Sequence, residues 1–222
     1  MKSQFQENNR RRTLLSSPPE DIIIPIEAIV EREPVTVVCS QKGWVRSLKG
    51  HTLTTDDIKY KEGDEERFIL KAETTDKLLV FTTLGRFYTL SVDKLPGGRG
   101  HGDPLRLMID LAPEEEVLSI LVHTPGSDGR ILVASRDGRG FITSRAGLVA
   151  QTRAGKQILT VDGTTAALCR DVTGNHLAVI GQNRKLLIFK TEEIPEMTRG
   201  KGVILQRYKD GGLSDVKFFA LS

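Results

Sequence analysis

A hairpin written four times constrains this chain more than any other feature. The third copy is the plainest: the apolar run Ile131 to Ser135, the turn Arg136-Asp137-Gly138, and a second run from Arg139 to Thr143. An Asp-Gly pair between two apolar runs is the strongest short-range hairpin signal a sequence offers. The first copy runs from Val35 through Gly43 to Arg46, the second from Leu78 through Gly85 to Thr89, and the fourth from Leu177 through Arg184 to Ile188. The equivalent turn positions, Gly43, Gly85, Gly138 and Arg184, lie 42, 53 and 46 residues apart. Strand-built repeats of that length predict propeller blades or a similar array. One hairpin alone is marginal in water, so each copy must bury a face against its neighbours. A continuous apolar run such as Leu78-Leu79-Val80-Phe81 suits a strand covered on both sides.

Further strands fall at matching places in the cycle: Arg67 to Ala72, Val117 to Val122 and the stretch around Ala166 to Cys169. The last of them, Val216 to Leu221, has no hairpin after it and reads as the start of a fifth unit. The expectation is therefore an all-β fold, a propeller-like array of about five four-stranded blades with the last incomplete, spanning residues 28–222. Residues 1–27 are polar, carry Arg10-Arg11-Arg12 and Ser16-Ser17-Pro18-Pro19, and read as a linker or the tail of a preceding region. The apolar stretch from Ile22 to Val30 reads as a lead-in strand that Pro25 confines to an edge.

Composition narrows the chemistry. Of 222 residues, 38% are hydrophobic and 27% charged, enough for a core and against wholesale disorder. Aromatic residues are only 5%, which argues against a surface that reads bases by stacking. Cys39 and Cys169 lie in or beside apolar strands and read as buried free thiols, which fits a reducing compartment. No apolar segment is long enough to span a bilayer, and residues 1–10 lack the apolar core of a signal peptide, so the cytoplasm is expected. His51, His101, His123 and His176 show no metal spacing, no phosphate-cradling Walker loop is present, and no nucleophile sits beside a base. Tyr60, Tyr88 and Tyr208 read as packing or strand-surface residues.

A second element also repeats. Arg99 follows Gly85 by 14 residues, Arg153 follows Gly138 by 15, and Arg199 follows Arg184 by 15. The surrounding loops are Leu95 to Gly102, Val149 to Lys156 and Ile194 to Gly202; in each an arginine stands among small residues. Small residues let a backbone approach a partner closely, and an arginine among them can grip a phosphate with two donors. Recurrence around an array would set such grips along a curved rim, a track for a duplex backbone. The bland alternative is that these are ordinary turns whose arginines tie one blade to the next through carbonyls. The net charge of +3 says little by itself, but the acidic runs, Asp56-Asp57, Glu62 to Glu66 and Glu114 to Glu116, occupy other loops.

These residues resemble the C-terminal domain of type IIA topoisomerase A subunits, of the bacterial topoisomerase IV kind. The resemblance rests on Glu31-Arg32-Glu33-Pro34-Val35-Thr36-Val37-Val38 running into Gly43-Trp44-Val45-Arg46, on Lys49-Gly50-His51 and on Arg153-Ala154-Gly155-Lys156, and it covers nearly all of the chain after residue 28. It implies a β-pinwheel, in which neighbouring blades exchange a strand, with DNA bound along a positively charged rim. The related gyrase A domain carries a box reading Gln-Arg-Arg-Gly-Gly-Arg-Gly. Here Gly97-Gly98-Arg99-Gly100 matches its end, whereas Lys94-Leu95-Pro96 does not match its beginning, a departure that favours the topoisomerase IV kind.

The resemblance further implies a non-catalytic domain that steers which DNA crossings the enzyme acts on in decatenation and supercoil relaxation. Implied partners are double-stranded DNA, an ATPase B subunit (ParE-like) and the rest of the A subunit. The Mg2+ and ATP of the parent enzyme would be held elsewhere. Rim candidates are Arg46, Lys49, Arg86, Arg99, His101, Arg139, Arg145, Arg153, Lys156, Arg184, Lys185, Arg199 and Lys201. The rival function class is a propeller-like scaffold for protein interaction, since propellers serve both and fold alone does not decide; an enzyme ranks third.

Overall fold

The computed structural model describes residues 30–51, 58–98 and 100–221. The 1–27 linker, the lead-in strand before Val30, Asp56-Asp57 and Arg99 lie outside the described residues. In chain order the strands are β1 (Pro34–Ser40), β2 (Trp44–Lys49), β3 (Glu66–Glu73), β4 (Lys77–Thr82), β5 (Arg86–Ser91), β6 (Asp103–Pro104), β7 (Val117–His123), β8 (Arg130–Ser135), β9 (Arg139–Ser144), β10 (Lys156–Gln157), β11 (Ala166–Asp171), β12 (His176–Gly181), β13 (Leu186–Lys190), β14 (Val203–Ile204) and β15 (Leu213–Phe219). A single-turn helix, α1 (Leu105–Met108), follows β6. Among the described residues no helix is long and apolar enough to cross a membrane.

The four expected hairpins are β1–β2, β4–β5, β8–β9 and β12–β13. All four close with the same turn. Gly43 N–H donates to the Ser40 carbonyl at 3.0 Å, Gly85 to Thr82 at 3.0 Å, Gly138 to Ser135 at 3.0 Å and Arg184 to Gly181 at 2.9 Å. The donor residue has positive φ each time, at 79°, 75°, 85° and 63°. Glycine takes that conformation freely; an L side chain does not. Arg184 is the one non-glycine residue with positive φ among the described residues.

Each hairpin is the centre of an antiparallel sheet. The strand orders are β3-β1-β2-β6, β10-β5-β4-β7, β11-β8-β9-β14 and β13-β12-β15. The short strands β6, β10 and β14 each leave the unit that follows and pair back onto the preceding hairpin, which is the strand exchange the resemblance implies. Their register is constant: Val45↔Asp103, Phe87↔Lys156 and Gly140↔Val203, always two residues past the turn. The strands at the other edge, β3, β7, β11 and β15, approach one another in succession. They line the inner side of the array, so the exchanged strands lie on its outer side.

Strand alternation then builds the core. Leu78 and Val80 of β4 point to the first sheet and pack with Val37, Cys39 and Val45. Leu79 and Phe81 of the same strand point to the third sheet and pack with Ile131, Val133 and Phe141. Leu132 and Ala134 of β8 meet Leu177 and Val179 of the fourth sheet. Leu78 to Phe81 are all fully buried, as a strand covered on both sides must be. Cys39 and Cys169 are buried free thiols. Burial pushes the Cys39 thiol up to about 11 and the Cys169 thiol up to about 12, so both stay protonated at neutral pH.

One boundary differs from the sequence reading. β15 pairs with β12 (Val179↔Val216) as β11 pairs with β8 (Val133↔Cys169), so it completes the inner edge of the fourth sheet and opens no fifth one. The described residues thus make four sheets, and the fourth has three strands. Its outer strand, β13, has no strand partner on its outer side among the described residues, and Leu186, Leu187 and Ile188 are exposed there.

Candidate nucleic-acid interface

The three basic loops of the sequence are the crossovers that carry the exchanged strands. Each touches the preceding hairpin twice. The first contact is at mid-strand: Ser47 N–H donates to the Pro96 carbonyl at 2.9 Å, Ile142 N–H to Pro195 at 3.0 Å, and Ala150 N–H to the Thr89 hydroxyl at 2.8 Å. The second is the exchanged strand itself. Just before it stands a glycine, Gly102, Gly155 or Gly202, with φ of 87°, 71° or 74°. A Cβ at Gly102 would overlap the Val45 carbonyl, one at Gly202 the Gly140 carbonyl, and one at Gly155 would come within 2.8 Å of the Tyr88 ring. These glycines admit the crossover to the neighbouring sheet; their close backbone approach is to this chain itself.

Among the candidate cations, three are tied inside. Arg46 is buried and donates to the Gly100 and Lys59 carbonyls, clasping the first crossover. Arg86 does the same for the second, donating to the Ala154 carbonyl at 2.9 Å and to the Gln157 side chain at 3.0 Å. Arg145 donates to the Val122 carbonyl at 2.8 Å and pairs with Asp171. These three arginines tie neighbouring segments through carbonyls, the role weighed in the sequence for the loop arginines Arg99, Arg153 and Arg199.

The remaining described candidates reach solvent. Arg153 lies 3.6 Å from Asp110 and donates to the Leu107 carbonyl at 2.6 Å. Lys156 donates to the Gly147 carbonyl at 2.7 Å, and Lys201 pairs with Asp162 at 2.5 Å. Lys49 lies 3.6 Å from Glu33, and Arg139 lies 3.6 Å from Asp137. His101, Arg184, Lys185 and Arg199 are exposed and make no ion pair among the described residues. His101, Arg153, Lys156, Arg199 and Lys201 all stand on crossovers, so the fold gathers them on the outer side; Arg184 and Lys185 stand at the fourth hairpin tip. The aspartates that partner Arg153 and Lys201 come from tip-side loops far away in sequence, which spacing alone does not reveal.

Comparison with known proteins agrees with this architecture. Residues 76–124, 129–164 and 175–213 match the family described as DNA gyrase C-terminal domain, beta-propeller. The A subunit of DNA topoisomerase 4 from Rickettsia felis is 46% identical over 198 residues, 89% of this chain and 26% of the relative. Its counterpart from Caulobacter vibrioides is 46% identical over 199 residues, 90% of this chain and 26% of the relative. The chain therefore spans about a quarter of the length of these curated relatives. The solved E. coli ParC C-terminal domain superposes with a TM-score of 0.77 at 31% identity, over 83% of this chain and 78% of that one. With more than half of its residues inside the family model and its hairpins, turns and exchanged strands in one repeating register, the chain belongs to the DNA gyrase C-terminal domain family of β-propellers.

Proposed function

We propose that this chain is the non-catalytic DNA-binding domain of a type IIA topoisomerase A subunit, engaging duplex DNA on its outer side. It works within a cytoplasmic, nucleoid-associated enzyme that also comprises an ATPase B subunit, besides the rest of its own polypeptide. There it steers substrate choice in decatenation and supercoil relaxation, while Mg2+ and ATP serve the enzyme's other parts. The observation that carries this reading is the constant register of the crossovers, which repeats exposed cations along one side of a rigid array.

The cations suit phosphates. Arg199 has no ion-pair partner among the described residues. The Arg153–Asp110 and Lys201–Asp162 pairs are more than half exposed on both sides, and such pairs contribute only about 0–1 kcal/mol, so a phosphate can displace the carboxylate. Contacts of this kind read the backbone and little sequence.

The test is anisotropy of a fluorescent duplex across a salt series. If about six phosphates are neutralised, the log–log slope should be roughly −5. Arg153→Glu/Arg199→Glu/Lys201→Glu should bind far more weakly and with a shallower slope while melting near the wild-type temperature. A flat salt response in the wild type, or no binding at all, would sink the proposal and promote the scaffold reading.

A further inference from the structure

The hairpin tips share one end of the array, and charge is uneven along it. Backbone bonds join the tips: Ala166 N–H donates to the Thr83 carbonyl at 2.8 Å, Leu213 N–H to Arg136 at 2.7 Å, and Gln182 N–H to Gly212 at 2.8 Å. At the first two tips carboxylates and cations are mixed: Glu115 and Glu116 line the cleft there together with Lys42, Arg67 and Arg106. Gln41 N–H donates to the Glu65 carbonyl, Lys42 N–H to the Asp64 carboxylate, and Thr83 N–H to the Glu116 carbonyl. The last two tips, with the loop 205–212 laid between them, are basic. Six cations stand there: Arg136, Arg139, Arg184, Lys185, Arg207 and Lys209, against the two carboxylates Asp137 and Asp210.

The loop holds these cations together. The Tyr208 ring lies between Gly138 of the third tip and Gly181 of the fourth hairpin, and Gly212 packs on Arg136. Arg139 pairs with Asp137. The other five are exposed and make no ion pair among the described residues.

Arg184 is the telling member. Its turn position is glycine in the other three hairpins, and only here does a side chain hold a left-handed backbone. That conformation is unfavourable for an arginine, and among the described residues the guanidinium makes no hydrogen bond or ion pair that would offset it. Strain with no internal return belongs at sites that meet a partner.

We infer that the tip end between the third and fourth sheets is a second phosphate-gripping site for the duplex, separate from the outer crossovers. This rests on the DNA-binding reading above. Arg184 and Lys185 from the fourth tip and Arg207 and Lys209 from the bridging loop hold backbone phosphates, and Arg136 flanks them. A duplex leaving the outer side can turn onto this end.

The experiment compares duplex affinity, salt slope and melting temperature for the wild type, Arg184→Gly and Arg184→Gly/Arg207→Gln/Lys209→Gln. Arg184→Gly removes the backbone strain, so its melting temperature should rise by roughly 2 °C while binding weakens. The triple variant should lose about three phosphate contacts, making the log–log slope shallower by about 2.7 and binding roughly tenfold weaker. Wild-type binding by the triple variant, with weak binding by Arg153→Glu/Arg199→Glu/Lys201→Glu, would overturn this site and leave the outer one standing. No duplex binding by the wild type would remove the reading on which both rest. Loss of a concentration-dependent dimer in the triple variant with DNA binding intact would also overturn it, assigning the basic tips to contact with a second copy.

Discussion

At the scale of single residues, glycine does two jobs that look alike in the sequence. Gly202 sits against the Gly140 carbonyl with φ of 74°, so a Cβ there meets both a forbidden backbone and occupied space. Gly98 has φ of 98°, but a Cβ would have nothing within 4 Å. Gly202→Ala should therefore cost about 2–4 kcal/mol and Gly98→Ala about 1 kcal/mol. For a chain of this size that is a fall in melting temperature of roughly 4–16 °C against roughly 2–4 °C. Equal falls would mean that backbone conformation alone, and not the approach of the crossover to the third sheet, sets the requirement. The glycine loops were legible from the sequence, but their direction was not. A glycine that admits a phosphate and one that admits a neighbouring strand leave the same letter, and an exchanged strand of two residues is too short to show alternation.

At the scale of elements, the hairpins were legible because each has a turn residue suited to positive φ between two apolar runs. The fourth is the informative exception, since Arg184 occupies the glycine position. The division of labour among arginines was not legible. Arg46 lies within β2, Arg86 begins β5 as Arg139 begins β9, and Arg145 follows β9, yet Arg46, Arg86 and Arg145 clasp carbonyls of neighbouring segments. Removing Arg46 would leave the Gly100 and Lys59 carbonyls without that donor, and Arg46→Ala should destabilise the chain by about 1–3 kcal/mol. Arg199→Ala, on an exposed crossover, should leave melting within about 0.5 kcal/mol of the wild type and act only on DNA affinity. Thermal melts paired with anisotropy separate the two roles. An Arg46→Ala variant that melts like the wild type but fails to bind DNA would return Arg46 to the interface. Three of the tip-end cations escaped the sequence reading for a related reason: Arg136 lies far in sequence from Arg207 and Lys209 and comes near them only because loop 205–212 bridges two hairpin tips.

At the scale of the whole molecule, the array has no single core. Among the described residues its apolar interior is three clusters, each shared by two adjacent sheets, so these clusters cover the second and third sheets on both faces and the end sheets on one. The ends are not equivalent. The outward face of the first sheet is overlaid by the segment before β3: Ile58 is buried, and Lys61 stands over the Trp44 ring at 3.1 Å. The fourth sheet exposes Leu186, Leu187 and Ile188 and lacks an exchanged strand among the described residues. In a quasi-one-dimensional array stability is a sum over units and their shared interfaces, so local opening should begin where both are smallest. Native-state hydrogen exchange should show the amides of β12, β13 and β15 exchanging first, the free-edge amides of β13 fastest of all, and those of β4 and β8 last. The same order implies that the basic tip end is mounted on the least stable part of the array, while the outer crossovers between the first three sheets rest on its firmest part. Binding of a duplex across the fourth tip should then protect β12 and β13 far more than β4. If the fourth sheet instead exchanges as slowly as the second in the free protein, the four sheets open as one unit and the interface sum does not govern this molecule.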